Sequence, residues 1–119
     1  MTIRLKRAYE PPTDTDGLRI LVDRLWPRSI SKEAARLDFW VKEVSPSNDL
    51  RKWYSHDPGE WPEFLRRYYA ELDRNSDEVQ KLATLIEGKN VTLVYSSKAK
   101  LNNALALKEY LEARYPILR

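Results

Sequence analysis

Ile3, Leu5 and Tyr9 fall at even spacing with Arg4 and Lys6 between them. That is the period of a strand with one buried face, and Pro11-Pro12 limits it. A polar turn through Asp14, Asp16 and Gly17 leads into Ile20-Leu21-Val22, a short apolar, β-branched run suited to a central strand buried on both faces. Pro27 breaks the pattern. Ser31 is placed to cap a short helix opening Lys32-Glu33-Ala34, and Phe39-Trp40-Val41 reads as a third strand.

The middle of the chain has helical spacing. Ser47, after Pro46, is a candidate cap for a helix carrying Leu50, Trp53 and Tyr54 and ending near Ser55. Asp57 is the next candidate cap, with Pro58 at the first helical position and Glu60 three residues on, as in a capping box. Trp61, Phe64, Leu65, Tyr68, Tyr69 and Leu72 then step by threes and fours into one apolar stripe, with Glu63, Arg66, Arg67 and Glu71 outside it. A further helix is expected from Ser76, with Asp77 and Glu78 at its positive end, Val79, Leu82, Ala83 and Ile86 inside, and Gly88 as its stop. Val91 to Tyr95 is the last strand. Ala104, Leu107, Leu111 and Tyr115 mark a closing helix that Pro116 terminates. This order predicts an α/β fold: a small, mostly parallel sheet flanked by helices, in a single compact domain over residues 1–119.

Composition narrows the function classes. A length of 119 residues leaves no room for a second useful core, and 42% hydrophobic with 33% charged residues allows the chain to fold alone. The 21 Lys and Arg are offset by 18 Asp and Glu in the same segments, too mild a surplus to diagnose nucleic-acid binding. The absence of cysteine excludes disulfides, thiolate metal sites and a cysteine nucleophile, and the one histidine, His56, excludes a multi-histidine zinc site within the chain. The first residues alternate apolar and cationic and form neither a signal peptide nor a membrane span, so a cytoplasmic location is expected.

Ligands of parallel α/β sheets sit beyond the carboxyl ends of the strands. That rule nominates Asp23, Arg24 and Arg28 after one strand, and Tyr95, Ser96, Ser97, Lys98, Asn102 and Asn103 after another. Two arginine forks beside Trp26 suit a planar anion; equally, Asp23 can pair with a neighbouring cation while Trp26 fills the core. The second cluster lies between strand and helix, where N–H groups favour anions, but it lacks a Gly-rich loop, which favours a plain N-cap role for Ser96 or Ser97. His56 beside Asp57 resembles a base with its orienting carboxylate, although the helix cap gives Asp57 other work. The aromatic stretch Trp53 to Tyr69 with Arg66 and Arg67 has the ingredients of a stacking surface, yet its helical spacing assigns it to the core first.

Leu5-Lys6-Arg7-Ala8-Tyr9, the stretch from Asp16-Gly17 to Arg28, Trp40 to Pro58 and Val91 to Leu111 together resemble the YeaO-like branch of the DUF488 family. The run Leu21-Val22-Asp23-Arg24-Leu25-Trp26-Pro27-Arg28 carries most of the specificity. The resemblance implies a compact α/β fold and supplies no established reaction, cofactor or substrate. It also leads one to expect glycine where Ser29 stands and an acidic residue where Ala99 stands. More distant relatives carry cysteines and a Cys-His-Arg run near positions occupied here by Tyr95 and Asn102-Asn103, so a thiol or metal mechanism does not carry over.

The expectation is therefore that Asp23, Arg24, Arg28, Lys98 and Asn103 converge at the C-terminal edge of the sheet. There they would bind a small anionic ligand, phosphate-bearing or nucleotide-like. Were hydrolase or transferase chemistry to occur, Arg24 and Arg28 would hold developing negative charge while Asp23 or His56 moved a proton. The alternative is a non-catalytic module that binds a protein or, less favoured, a nucleic acid. The sequence specifies no cofactor or metal, no membrane attachment and no oligomeric state.

Overall fold

The computed structural model describes residues 2–118. Four strands, β1 (Thr2–Arg7), β2 (Leu18–Leu21), β3 (Phe39–Trp40) and β4 (Asn90–Tyr95), form one sheet in the order β1-β4-β2-β3. Every pairing is parallel. Five helices accompany them: α1 (Lys32–Ala35), α2 (Asn48–Trp53), α3 (Trp61–Arg74), α4 (Ser76–Ile86) and α5 (Asn103–Arg114). Among the described residues no helix is long and apolar enough to cross a membrane.

The two central strands are covered on both sides. Ile20, Val22, Val91 and Leu93 join Ile3 in the main core, packed with Phe64, Tyr68 and Leu72 of α3, Val79 and Ile86 of α4, and Leu107 and Leu111 of α5. Leu21 and Val94, pointing the other way, join Ala8 in a smaller core under Trp26, Ile30 and Leu37. Alternation persists along these strands, but with apolar cover on both faces it does not show as apolar against polar.

Two local expectations need correction. The third strand is shorter than Phe39–Val41: Val41 leaves the ladder after donating its N–H to Leu21 O (2.9 Å). The capping box at Asp57 does not form either. Asp57 accepts from the Gly59 N–H (2.9 Å) and caps a 3-10 turn over Pro58–Glu60, so α3 proper starts at Trp61. Glu60 instead turns its carboxylate to the Ser55 N–H and hydroxyl, both at 2.9 Å. The caps at Ser31 and Ser47 form as expected, accepting from Ala34 and Leu50.

The turn between β1 and β2 has to hold those strands two strand widths apart, so that β4 can enter between them. Asp16, only 4% exposed, does this. Its carboxylate accepts from Arg19 (2.7 Å), Lys6 (3.1 Å), and the hydroxyl (2.8 Å) and N–H (3.1 Å) of Thr13, while its carbonyl accepts from the Thr92 hydroxyl (2.7 Å) of β4. Burial raises the Asp16 pKa, but the donors from Thr13, Lys6 and Arg19 outweigh it and leave the group well below the usual carboxylate range. Gly17 follows at φ 65°, and a Cβ there would stand 2.1 Å from the Asn90 carbonyl oxygen.

Gly17→Ala is therefore expected to lower the unfolding free energy, read from urea titration, by at least about 3 kcal/mol, since backbone strain and a backbone overlap add. Asp16→Asn leaves Lys6 and Arg19 without a counter-charge and should cost roughly 3 kcal/mol at pH 7. Because the folded pKa of Asp16 is depressed, its contribution is present above the ordinary value of 3.8 and drains as pH falls towards the lower folded value. The stability gap between wild type and Asp16→Asn should then narrow below about pH 4, as urea titrations across pH would show.

Candidate functional site

Beyond the carboxyl ends of β2 and β4 lies a cavity of about 310 Å³. Its lining includes Asp23, Arg24, Arg28, Asn103 and His56, which the sequence nominated from three separate stretches. Lys98 is exposed and is not among the lining residues. Asp23 ties the site together: one carboxylate oxygen accepts from the Ser96 N–H (2.9 Å) and the other from the Asn103 side-chain amide (3.0 Å). That amide also reaches the Val22 carbonyl (3.3 Å). The end of β2, the β4–α5 loop and the first turn of α5 are thus joined through one carboxylate.

The arginines differ in their commitments. Arg24 donates from Nε to the Pro46 carbonyl (3.1 Å) and from Nη2 to that of Ser45 (3.4 Å), pinning the segment before α2. Arg28 is exposed, and its guanidinium makes no hydrogen bond or ion pair with the described residues. Arg51, on α2, also lines the cavity and holds only a 3.4 Å contact to Asn48. With Asp23 the one lining carboxylate against three arginines, the cavity carries a positive surplus.

His56 sits at φ 65°, an uncommon conformation for a residue with a Cβ. Its ring packs on Tyr54 at 4.5 Å between centroids, and Nδ1 lies 3.4 Å from the Leu101 carbonyl. Asp57 is committed to its turn, so no His56–Asp57 relay is assembled. Tyr54 stacks on Phe64 at 4.3 Å and donates its hydroxyl to the same Leu101 carbonyl (2.9 Å). Burial, then the charges of Glu60 and Asp57, raise the Tyr54 pKa and keep it a neutral donor.

The N-cap of α5 is also a correction. It is Asn102, buried and accepting from the Leu105 N–H (3.0 Å), rather than Ser96 or Ser97. Ser97 is used earlier, taking the Ala99 N–H (3.0 Å). Sequence reasoning missed Arg7, whose Nε and Nη2 clamp the carbonyls of Ser97 (3.0 Å) and Ser96 (3.1 Å). It also missed Tyr9, which packs under Arg7 at 5.0 Å and donates to the Arg28 carbonyl (3.0 Å). No local pattern marks either residue: Arg7 comes opposite Tyr95 only once β1 has paired with β4. Ser29, where the resemblance calls for glycine, has φ 64°, the region that glycine enters without steric cost.

Tyr54 and Phe64 reach the cavity, but the aromatic stretch as a whole packs into the core and forms no open stacking surface. Phe64 and Tyr68 are buried, and Arg66 and Arg67 both bind Glu63 at 2.7 Å, lowering its pKa to about 2 through those hydrogen bonds. Among the described residues no group of His, Asp or Glu converges to hold a metal ion.

An all-parallel four-stranded α/β domain with a ligand-sized cleft at its carboxyl edge is the class these features define. The chain belongs to the inactive DUF488-N3 subclade, whose family profile matches residues 2–117. It is 42% identical to the uncharacterized protein YeaO of Escherichia coli (strain K12) over 114 residues, 95% of this chain and 99% of that protein. It is 38% identical to the uncharacterized protein Rv3073c of Mycobacterium tuberculosis (strain ATCC 25618 / H37Rv) over 113 residues, 94% of this chain and 95% of the relative. No solved structure matches the chain.

Asp23→Asn keeps one acceptor oxygen but sets an NH₂ group against the other donor. It should cost about 1–3 kcal/mol and speed hydrogen exchange at the Ser96 amide, measured by NMR, more than at amides in the middle of α3.

Proposed function

We propose that this protein binds a small anionic ligand in the cavity at the carboxyl edge of the sheet and holds it without transforming it. The observation that carries this reading is the Arg28 guanidinium, without a partner among the described residues and beside a concave, largely apolar cleft that holds three arginines and one aspartate. The absence of chemistry is supported from two sides. The family description is that of an inactive subclade. Among the candidate proton carriers, each Asp23 oxygen already accepts from an N–H, and His56 has no carboxylate to orient it.

A second reading has its own support: Phe39 (42% exposed) and Trp40 (38%) leave large apolar side chains exposed on the edge strand β3, a surface suited to a protein partner.

A thermal-shift screen against inorganic phosphate, sugar phosphates and nucleotides separates the two. An anion at about a hundred times its Kd should add about 2.7 kcal/mol, several degrees of Tm for a domain of this size, and Arg28→Ala should abolish the shift while leaving the unliganded Tm in place. No shift with any anion would sink the cavity reading and leave the β3 surface as the one to pursue.

A further inference from the structure

Resting on that anion-binding reading, we infer that the ligand is an aromatic anion: one flat ring system, of nucleobase or indole size, carrying a single phosphate or carboxylate. The lining makes the distinction. Trp26, Tyr54, Phe64 and Tyr9 contribute four rings to a cleft of about 310 Å³. That volume falls at the small end of the roughly 300–1,000 Å³ usual for ligand clefts, room for one ring system with its substituent and too little for a dinucleotide.

The polar atoms of these rings are already occupied. Trp26 Nε1–H donates to the Ile30 carbonyl (2.7 Å), the Tyr54 hydroxyl to Leu101 (2.9 Å) and the Tyr9 hydroxyl to Arg28 (3.0 Å). What the rings offer a ligand is carbon surface. A sugar phosphate or bare oxyanion, which brings hydroxyls or charge to every side, would leave polar groups against that surface unsatisfied; a flat ring would not. Tyr54 and Phe64 are buried in a stack with each other (4.3 Å), His56 and Trp61, so the ring surface a flat ligand meets is chiefly that of the half-buried Trp26 and the exposed Tyr9.

The remaining polar groups fit the edge of a ring and its charged tail. The Asn103 side-chain N–H groups are directed to Asp23 and Val22, while its Oδ1 takes no hydrogen bond from the described residues and can accept from a ring N–H. Arg28 and the lightly held Arg51 supply the charge for one anionic group.

Isothermal titration of the wild-type protein with a graded ligand series tests this directly: inorganic phosphate, ribose 5-phosphate, adenosine 5′-monophosphate, adenosine, indole-3-acetate and indole. The expected result is that adenosine monophosphate or indole-3-acetate binds at least tenfold more tightly than ribose 5-phosphate, inorganic phosphate and the neutral ring compounds. Arg28→Gln should erase that advantage over the neutral ring, and Trp26→Leu, if its circular dichroism is native, should erase the advantage over ribose 5-phosphate. Equal affinity for inorganic phosphate, ribose 5-phosphate and the ring anions would overturn the aromatic inference while leaving the anion site standing. No binding by any anion, or binding of adenosine and indole as tight as that of their charged counterparts, would bring down both.

Discussion

Asp16 touches three of the four strands. Its carboxylate holds Lys6 of β1 and Arg19 of β2, and its carbonyl takes the Thr92 hydroxyl of β4. A carboxylate this buried is costly alone, and it is tolerated because two cations and two further donors surround it. The arrangement sets the spacing between β1 and β2 at two strand widths, and β4 fills the slot from more than seventy residues away. Gly17 lets the turn close against Asn90, where no side chain fits.

The cavity follows from that insertion. Once β4 lies beside β2, the loops leaving their carboxyl ends are neighbours, and Asp23 can take the Ser96 N–H and the Asn103 amide. Arg7 finishes the job from β1 by holding the Ser96 and Ser97 carbonyls. The result is a cleft whose polar framework is largely satisfied internally, leaving carbon surface and spare arginine charge along its lining. A carboxylate used as a tie is a poor proton carrier, which agrees with membership of an inactive subclade.

Much of this could be read along the chain. The caps at Ser31 and Ser47 and the apolar stripe of α3 depend on residues a few positions apart and are found as expected; the four strands fall where expected, but β1 stops at Arg7 short of Tyr9, and β3 stops at Trp40. The nomination of Asp23, Arg24, Arg28 and Asn103 rested on a rule about strand ends, and these residues do line one cavity. Lys98 obeyed the same rule and stands outside it, because the loop turns at Ser97 and directs that side chain to solvent. Glu60 looked like half of a capping box, but Ser55 offered two donors from the preceding turn and took its carboxylate.

Near-neighbour patterns were enough for the class of fold, the starts of α1, α2 and α4 and the burial of the central strands, since periodicity and capping are interactions between residues close in the chain. Only the tertiary structure decided the strand order, the pairing of Arg7 with the Ser96–Ser97 carbonyls and the commitment of each Asp23 oxygen. Those contacts join residues 73 to 90 positions apart. No local pattern encodes such partners, because the energy that selects them comes from closing the sheet around β4 and burying both of its faces at once.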